Sequence, residues 1–315
     1  MDQPFRMKSN GQISIVLNSQ KRKSLAKELP DAPVVLKEIP PEHTALIEIE
    51  EELGALVGME EMKRVIKEIY AWIYVNKKRE ELGLKAKKQA LHMMFKGNPG
   101  TGKTTVARLI GKLFQKMNVL SKGHLIEAER ADLVGEYIGH TAQKTRDLIK
   151  RAQGGILFID EAYSLGRGGE KDFGKEAIDT LVKHMEDKQH EFILILAGYS
   201  REMNYFLTLN PGLHSRFPLV IDFPDYSIDQ LMEIAGYMLT EREYMLSKDA
   251  EKKMKDHLVW VKAILNPNAF SNGRYVRNIL EKSIRSQAMR LLMQNSYDRH
   301  ELMTLRSLDL VFEED

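Results

Sequence analysis

Apolar positions recur at helical spacing from Glu42 onward. Leu56-Val57-Gly58 interrupts them before a second helical run, Met62-Lys63-Arg64-Val65-Ile66-Lys67-Glu68-Ile69. A basic stretch, Lys85 to Lys88, reads as a solvated loop, and beyond it the spacing changes. Leu91 to Lys96 predicts a strand and Lys103 to Lys116 a helix. Leu125-Ile126 falls in a short strand, Thr141 to Gln153 in a helix and Ile156 to Ile159 in a buried strand. Lys175 to Glu186 predicts another helix, and Phe192 to Ala197 and Leu219 to Phe223 two more strands. Short apolar strands alternating with amphipathic helices imply an α/β fold, a parallel five-stranded sheet with helices on both faces. After Pro224 the alternation stops. Ile228 to Leu239, Asp249 to Leu265 and Gly273 to Leu292 are helical by apolar spacing, with no clear strand among them. The expected division is an α/β domain over 46–224 and an all-helical domain over 225–315, with a hinge at Phe223-Pro224-Asp225.

Residues 1–45 differ from the rest. They carry a basic cluster (Lys21, Arg22, Lys23, Lys27), four prolines between Pro30 and Pro41, and one short apolar stretch from Ile13 to Leu17. This composition suits a flexible extension with one strand at most, or a docking arm.

Composition narrows the chemistry. The net charge is +2, so no overall field draws the chain to nucleic acid or to an anionic membrane. The absence of cysteine excludes disulfides, thiolate metal sites and cysteine nucleophiles. No apolar run reaches the ~18 residues of a membrane span, and the first residues lack the apolar core of a secretory signal. A cytoplasmic location is expected.

Gly97-Asn98-Pro99-Gly100-Thr101-Gly102-Lys103-Thr104 fits the phosphate-binding pattern G-x-x-x-x-G-K-[ST], and it lies between a predicted strand and a predicted helix. The glycines let backbone N–H groups approach phosphate oxygens without a clashing Cβ. Lys103 is expected to reach the β- and γ-phosphates and the Thr104 hydroxyl to ligate Mg²⁺. Some fifty residues on, Ile156-Leu157-Phe158-Ile159 is followed by Asp160-Glu161. Two carboxylates at the C-terminal end of a buried strand sit where open α/β sheets place their ligands. Asp160 is expected to hold Mg²⁺, directly or through water, and Glu161 to polarise the attacking water. No guanine-reading N-K-x-D sequence occurs, so ATP is the expected nucleotide.

The order of Leu56-Val57-Gly58-Met59-Glu60-Glu61, phosphate loop, acidic strand end and helical segment resembles the AAA+ ATPases. Gly135-Glu136-Tyr137-Ile138-Gly139-His140-Thr141, Asp172-Phe173-Gly174-Lys175-Glu176-Ala177, Ile195-Leu196-Ala197-Gly198-Tyr199 and Asn210-Pro211-Gly212-Leu213-His214-Ser215-Arg216-Phe217 narrow the likeness. They point to the branch of red-type rubisco activases and the sporulation ATPases of endospore formers. The likeness covers roughly residues 45–310, and the basic extension favours the sporulation side.

The resemblance implies nucleotide contacts from Val57, Gly58, Thr105, Tyr199 and Arg274 besides the loop itself. Arg216 stands where the branch has an arginine finger that serves the neighbouring subunit, which implies a homo-oligomer, a hexamer. Arg274 stands at the arginine that reaches from the helical lid to the nucleotide, with Arg277 as the alternative. Many members end the fourth strand of the sheet with an asparagine; here Tyr199 stands nearest that place, a departure, and Asn204 lies too far along. Tyr137 stands at the pore loop that grips an extended client polypeptide, with a core tyrosine as the bland alternative. Gly166 to Gly174 stands at a second pore loop. The implied function is an ATP-driven remodeller of an unidentified protein client in spore development. A motor acting on nucleic acid and an ATP-assembled scaffold are the alternatives; near-neutral charge with an aromatic loop opposes the first, and Glu161 the second.

Overall fold

A computed structural model describes residues 43–312 apart from 55, 87–89, 138, 168–171, 210, 265–269 and 296. The extension over 1–42, with its expected strand at Ile13 to Leu17, and the middle of the expected second pore loop lie outside the described residues.

Two helices, α1 (Thr44–Gly54) and α2 (Glu60–Glu81), precede the sheet. They are separated where Gly58 and Met59 take left-handed backbone, φ 65° and 61°, which no helix can pass through. α1 buries Leu46, Ile49 and Leu53, one face at spacings of three and four. Its outer acids pair with α3 (Lys103–Lys116), Glu52 with Lys112 at 2.9 Å and Glu48 with Lys116.

The sheet holds β1 (Met93–Gly97), β2 (Leu125–Ala128), β3 (Ile156–Ile159), β4 (Ile193–Gly198) and β5 (Leu219–Phe223), all parallel, in the order β2-β3-β4-β1-β5. The inner strands β3 and β4 are buried at every position, as a sheet covered on both faces requires. The edge strand β5 alternates instead, leaving Val220 and Asp222 exposed. Register aligns Ile159 of β3 with Leu196 of β4, and Leu196 with Met94 of β1. The chain therefore leaves β3, β4 and β1 along one edge, with β4 in the middle.

Between the strands run α4 (Arg130–Leu133), α5 (His140–Arg151), α6 (Gly174–Asp187), α7 (Ser200–Leu209) and α8 (Pro211–Arg216). One apolar cluster joins Ile149 of α5, Leu181 of α6 and Phe206 of α7 to Leu157 and Leu194 of the sheet.

The C-terminal part contains α9 (Ile228–Thr240), β6 (Met245–Leu246), α10 (Lys248–Ile264), α11 (Gly273–Gln294), α12 (Arg299–Met303) and β7 (Thr304–Leu305). α9 opens on a capping box, Ser227 with Gln230. Leu231, Leu258, Val276 and Leu280 meet in a core of their own. The expectation of no strand here needs correction: β6 and β7 form a parallel pair. Two-residue strands are too short for any periodicity to reveal. Arg290, almost fully buried, pairs with Asp309 at 2.8 Å and with Glu301 at 2.9 Å, tying the last segment to α11. Sheet and helical segment fall within one compact unit. No helix among the described residues is long and apolar enough to cross a membrane.

Candidate nucleotide site

The loop of residues 98–102 leaves β1 at the edge of the sheet and delivers the chain into α3. It needs its glycines for definite reasons. Gly100 and Gly102 have φ 70° and 92°, left-handed backbone that L side chains rarely adopt. A Cβ on Gly102 would stand 2.6 Å from Met59 Cε, and one on Gly100 2.1 Å from the Ser271 carbonyl oxygen. Thr101 is buried and donates from Oγ1 to the Asn98 carbonyl at 2.8 Å, holding the turn closed. α3 then buries Val106, Ala107, Ile110, Leu113 and Phe114, which fixes its axis against the sheet. A glycine loop that opens a helix presents backbone N–H groups and the positive end of the helix dipole to an anion.

Lys103 is the first residue of that helix, and its Nζ donates to the carbonyls of Gly97 at 2.8 Å and Asn98 at 2.7 Å. Burial lowers its pKa, the Asp160 and Asp225 carboxylates oppose that shift, and Arg274 adds to it. Lys103, Asp160, Arg274 and Asp225 thus share one electrostatic neighbourhood. Thr104 follows half-buried and Thr105 exposed.

Asp160 and Glu161 emerge at the end of β3, both exposed. The Asp160 carboxylate accepts the Glu161 backbone N–H at 2.9 Å. Glu161 has φ 46° and ψ 41°, a left-handed conformation for a residue with a side chain, and it starts the 3-10 turn Ala162–Gly166. Left-handed backbone costs an L residue about 1–2 kcal/mol, and such strain gathers at functional positions. Tyr199 follows β4, the strand between those bearing the loop and the acids. Its phenol is held above the ordinary range by burial first, then by the Glu161 and Asp160 carboxylates, with Arg274 opposing. Its ring lies 5.8 Å from that of Tyr163, whose pKa is likewise raised by burial and by Glu161. Asn204 sits elsewhere, exposed on α7, and accepts from Lys96 Nζ at 3.3 Å.

Val57 is buried, and the Gly58–Met59 bend packs against both the loop and α9: a Cβ on Gly58 would meet Gln230 Nε2 at 2.3 Å. Arg274 is exposed in the first turn of α11, beside the loop, while Arg277 lies one turn on. The structure therefore gathers Gly97 to Thr105, Asp160, Glu161, Tyr199, Arg274 and the Val57–Gly58 bend at one edge of the sheet.

Two predicted residues lie apart. Arg216 closes α8, three residues before β5; Leu219 pairs with Met93 and Phe223 with Gly97. Arg216 thus stands at the opposite edge, separated from the loop by the strand length, about 13 Å for four residue steps. Its guanidinium donates to the Gly212 carbonyl at 2.7 Å and pairs with Glu186, while its buried Nε has no partner among the described residues. Tyr137 is 65% exposed, against the alternative of a core anchor. Its ring packs edge-on against His140, centroids 5.4 Å apart, and Gly139 beside it has φ 82° with open space around it.

The donor set suits Mg²⁺ brought in with a nucleotide. Among the described residues no group of three or more His, Cys, Asp or Glu could hold a metal alone. The Thr104 hydroxyl and the Asp160 carboxylate supply two hard oxygens, and Mg²⁺ takes one or two protein oxygens with the rest from phosphate and water.

Four residues at this edge have no site role on the sequence alone: Asp225, Tyr226, Asn272 and Met59. Asn272 and Asn98 each donate from Nδ2 to Asp225, at 2.7 and 3.0 Å, and Tyr226 Oη donates to the Thr101 carbonyl at 3.1 Å. Burial pushes the Tyr226 phenol up to about 12, so it remains a donor at neutral pH.

A family model described as "ATPase family associated with various cellular activities (AAA)" matches residues 93–225, and one described as "AAA lid domain" matches 227–315. Stage V sporulation protein K of Bacillus subtilis (strain 168) is 70% identical over 316 aligned positions, covering 100% of this chain and 98% of that protein. Protein CbbX of Cereibacter sphaeroides is 43% identical over 252 positions, covering 79% and 81%. The chloroplastic ribulose bisphosphate carboxylase/oxygenase activase of Cyanidioschyzon merolae is 42% identical over 253 positions, covering 79% and 85%. With a parallel sheet, a phosphate-type loop and a helical lid in the same order, the chain belongs to the AAA family of ATPases, and it is an ATP-hydrolysing enzyme.

Proposed function

We infer that this chain is a protein-remodelling motor that assembles as a ring, a hexamer, and draws a client polypeptide past Tyr137. The observation that carries the reading is Tyr137 itself. An aromatic left 65% exposed, touching His140 edge-on beside a glycine with open space, buries little for the fold. It offers a flat apolar face that grips a chain without reading its sequence. The 70% likeness to a protein named for stage V sporulation supports spore development as the setting. The 42% likeness to a rubisco activase supports a protein, not a nucleic acid, as what is acted upon.

At the nucleotide, the backbone N–H groups of residues 100–103 hold the phosphate chain. Lys103 exchanges its bonds to the Gly97 and Asn98 carbonyls for the β- and γ-phosphates. Thr104 and Asp160 would hold Mg²⁺, which would supply charge neutralisation on the phosphates. Glu161 orients water and takes its proton, and Tyr199, whose phenol feels both carboxylates and Arg274, donates or accepts a hydrogen bond in that water network. Arg274 brings the lid to the phosphates. Arg216, at the far edge, completes the site of the next subunit with a permanently charged planar donor.

The test uses the Glu161→Gln variant held with ATP·Mg²⁺ and fluorescein-labelled casein as an unfolded polypeptide, followed by anisotropy. Binding that weakens at least tenfold on adding Tyr137→Ala is the expected result. Equal binding with tyrosine or alanine at 137 overturns the pore assignment.

A further inference from the structure

Asn272, which precedes α11, is completely buried and has φ 47° and ψ −123°, outside the regions that L residues occupy comfortably. A residue is kept in such backbone when its side chain does what glycine cannot. Both ends of its amide are engaged. Nδ2 donates to Asp225 at 2.7 Å and lies 3.3 and 3.4 Å from the Phe270 and Pro99 carbonyls; Oδ1 accepts from the Tyr226 backbone N–H at 3.0 Å. Around it the phosphate-type loop is tied to the lid residue by residue. Asn98 donates to both oxygens of Asp225 at 3.0 Å, Thr101 accepts from Tyr226 Oη at 3.1 Å, and Gly100 accepts from the Gly273 N–H at 3.1 Å. Little slack is left, since a Cβ on Gly273 would lie 3.0 Å from the Gly100 carbonyl oxygen. Arg274 is two residues further on.

We propose that Asn272 is a positioning residue for ATP turnover: it locks residues 98–101 to the first turn of α11 and thereby sets where Arg274 meets the nucleotide. The proposal rests on reading that loop as the ATP site. The chemistry of the position demands an amide. An aspartate there would lose the donor and face Asp225 with like charge. A glutamine would be one methylene too long. An apolar residue would leave the Tyr226 N–H without its acceptor. Because Asp225 also favours the charged form of Lys103, the lock reaches the lysine of the loop as well.

The test compares Asn272→Asp, Asp225→Asn and the double exchange, with steady-state ATPase and melting temperature measured on each full-length protein. Asn272→Asp should raise the KM for ATP about tenfold. The double exchange, which again sets one amide against one carboxylate but leaves Asn98 facing an amide, should recover part of that loss. Loss of folded protein alone lowers apparent kcat and leaves KM unchanged, so the split separates positioning from structural support. An unchanged KM in Asn272→Asp, or a double exchange no better than Asn272→Asp, overturns the proposal. If Asn272→Asp does not fold, Asn272→Gly carries the test, since glycine suits the φ 47° backbone and the exchange removes only the amide side chain. A rise of about threefold in KM is then expected, and no rise overturns the proposal. Lys103→Ala is measured alongside for ATP binding. If it abolishes binding while the Asn272 variants keep wild-type KM, the positioning role alone fails; if it still binds ATP, the reading of the loop fails.

Discussion

Acidification should weaken the sheet through one buried histidine. His92 precedes β1, is 1% exposed, and lies among Phe192 and Phe217, ring centroids 5.8 and 6.4 Å away. Its Nδ1 accepts the Leu194 N–H at 3.0 Å, so the proton of the neutral ring sits on Nε2, which points at the Met185 carbonyl 3.4 Å away. A second proton would have to go on Nδ1, breaking the bond to β4 and placing a charge in the core. Burial accordingly lowers its pKa from 6.5 to about 4, with His190 adding to the shift and the Met185 carbonyl opposing it.

The folded-state pKa lies below the unfolded one, so the unfolded chain takes up the proton first. Stability is present above about pH 6.5 and is lost as pH falls toward about 4. At about 1.4 kcal/mol per pH unit the full loss is about 3 kcal/mol, of which about 2 kcal/mol is gone by pH 5. The comparison is with His92→Gln, whose amide can accept from Leu194 and donate toward Met185 but does not titrate. Urea unfolding of both proteins at pH 7.5 and pH 5 cancels the carboxylates they share. Wild type should lose about 2 kcal/mol more than the variant over that interval. Parallel losses would refute a neutral, buried His92.

Two further outcomes follow from the site geometry. Because Glu161 has left-handed backbone, Glu161→Gly should be more stable than Glu161→Ala by about 0.5–1 kcal/mol, the relief of strain less the entropy glycine loses on folding, with both inactive. Urea midpoints decide it, and an alanine variant of equal or greater stability would contradict that conformation. Arg216→Ala and Glu161→Gln should each cut turnover about a thousandfold. Mixed subunits should regain activity, because one partner keeps the carboxylate and the other the arginine; a mixture no more active than its parts would remove Arg216 from the neighbour's site.

Signals confined to a few adjacent residues were legible from sequence. The glycine loop, the Asp160-Glu161 pair and the apolar runs of β1, β3, β4 and β5 each declare themselves within eight residues or fewer. Arg216 and Arg274 carry no local sign and entered through family resemblance alone. α7 and α8 went unread because the stretch from Ser200 to Arg216 packs short helical turns whose apolar positions, Met203, Phe206 and Leu213, do not make a long stripe. The Asn98–Asp225–Asn272 cluster was out of reach for a different reason: its members stand 127 and 47 positions apart, and a short polar residue beside a glycine or proline looks like any turn. His92 was hidden likewise, since burial and the Leu194 bond are products of the tertiary fold.

The most direct test of the ring motor is the solution mass of the Glu161→Gln variant, by light scattering, with and without ATP·Mg²⁺. Assembly to six subunits only with the nucleotide is the result expected. A monomer under both conditions would contradict it, removing Arg216 from a neighbour's site and Tyr137 from a pore together.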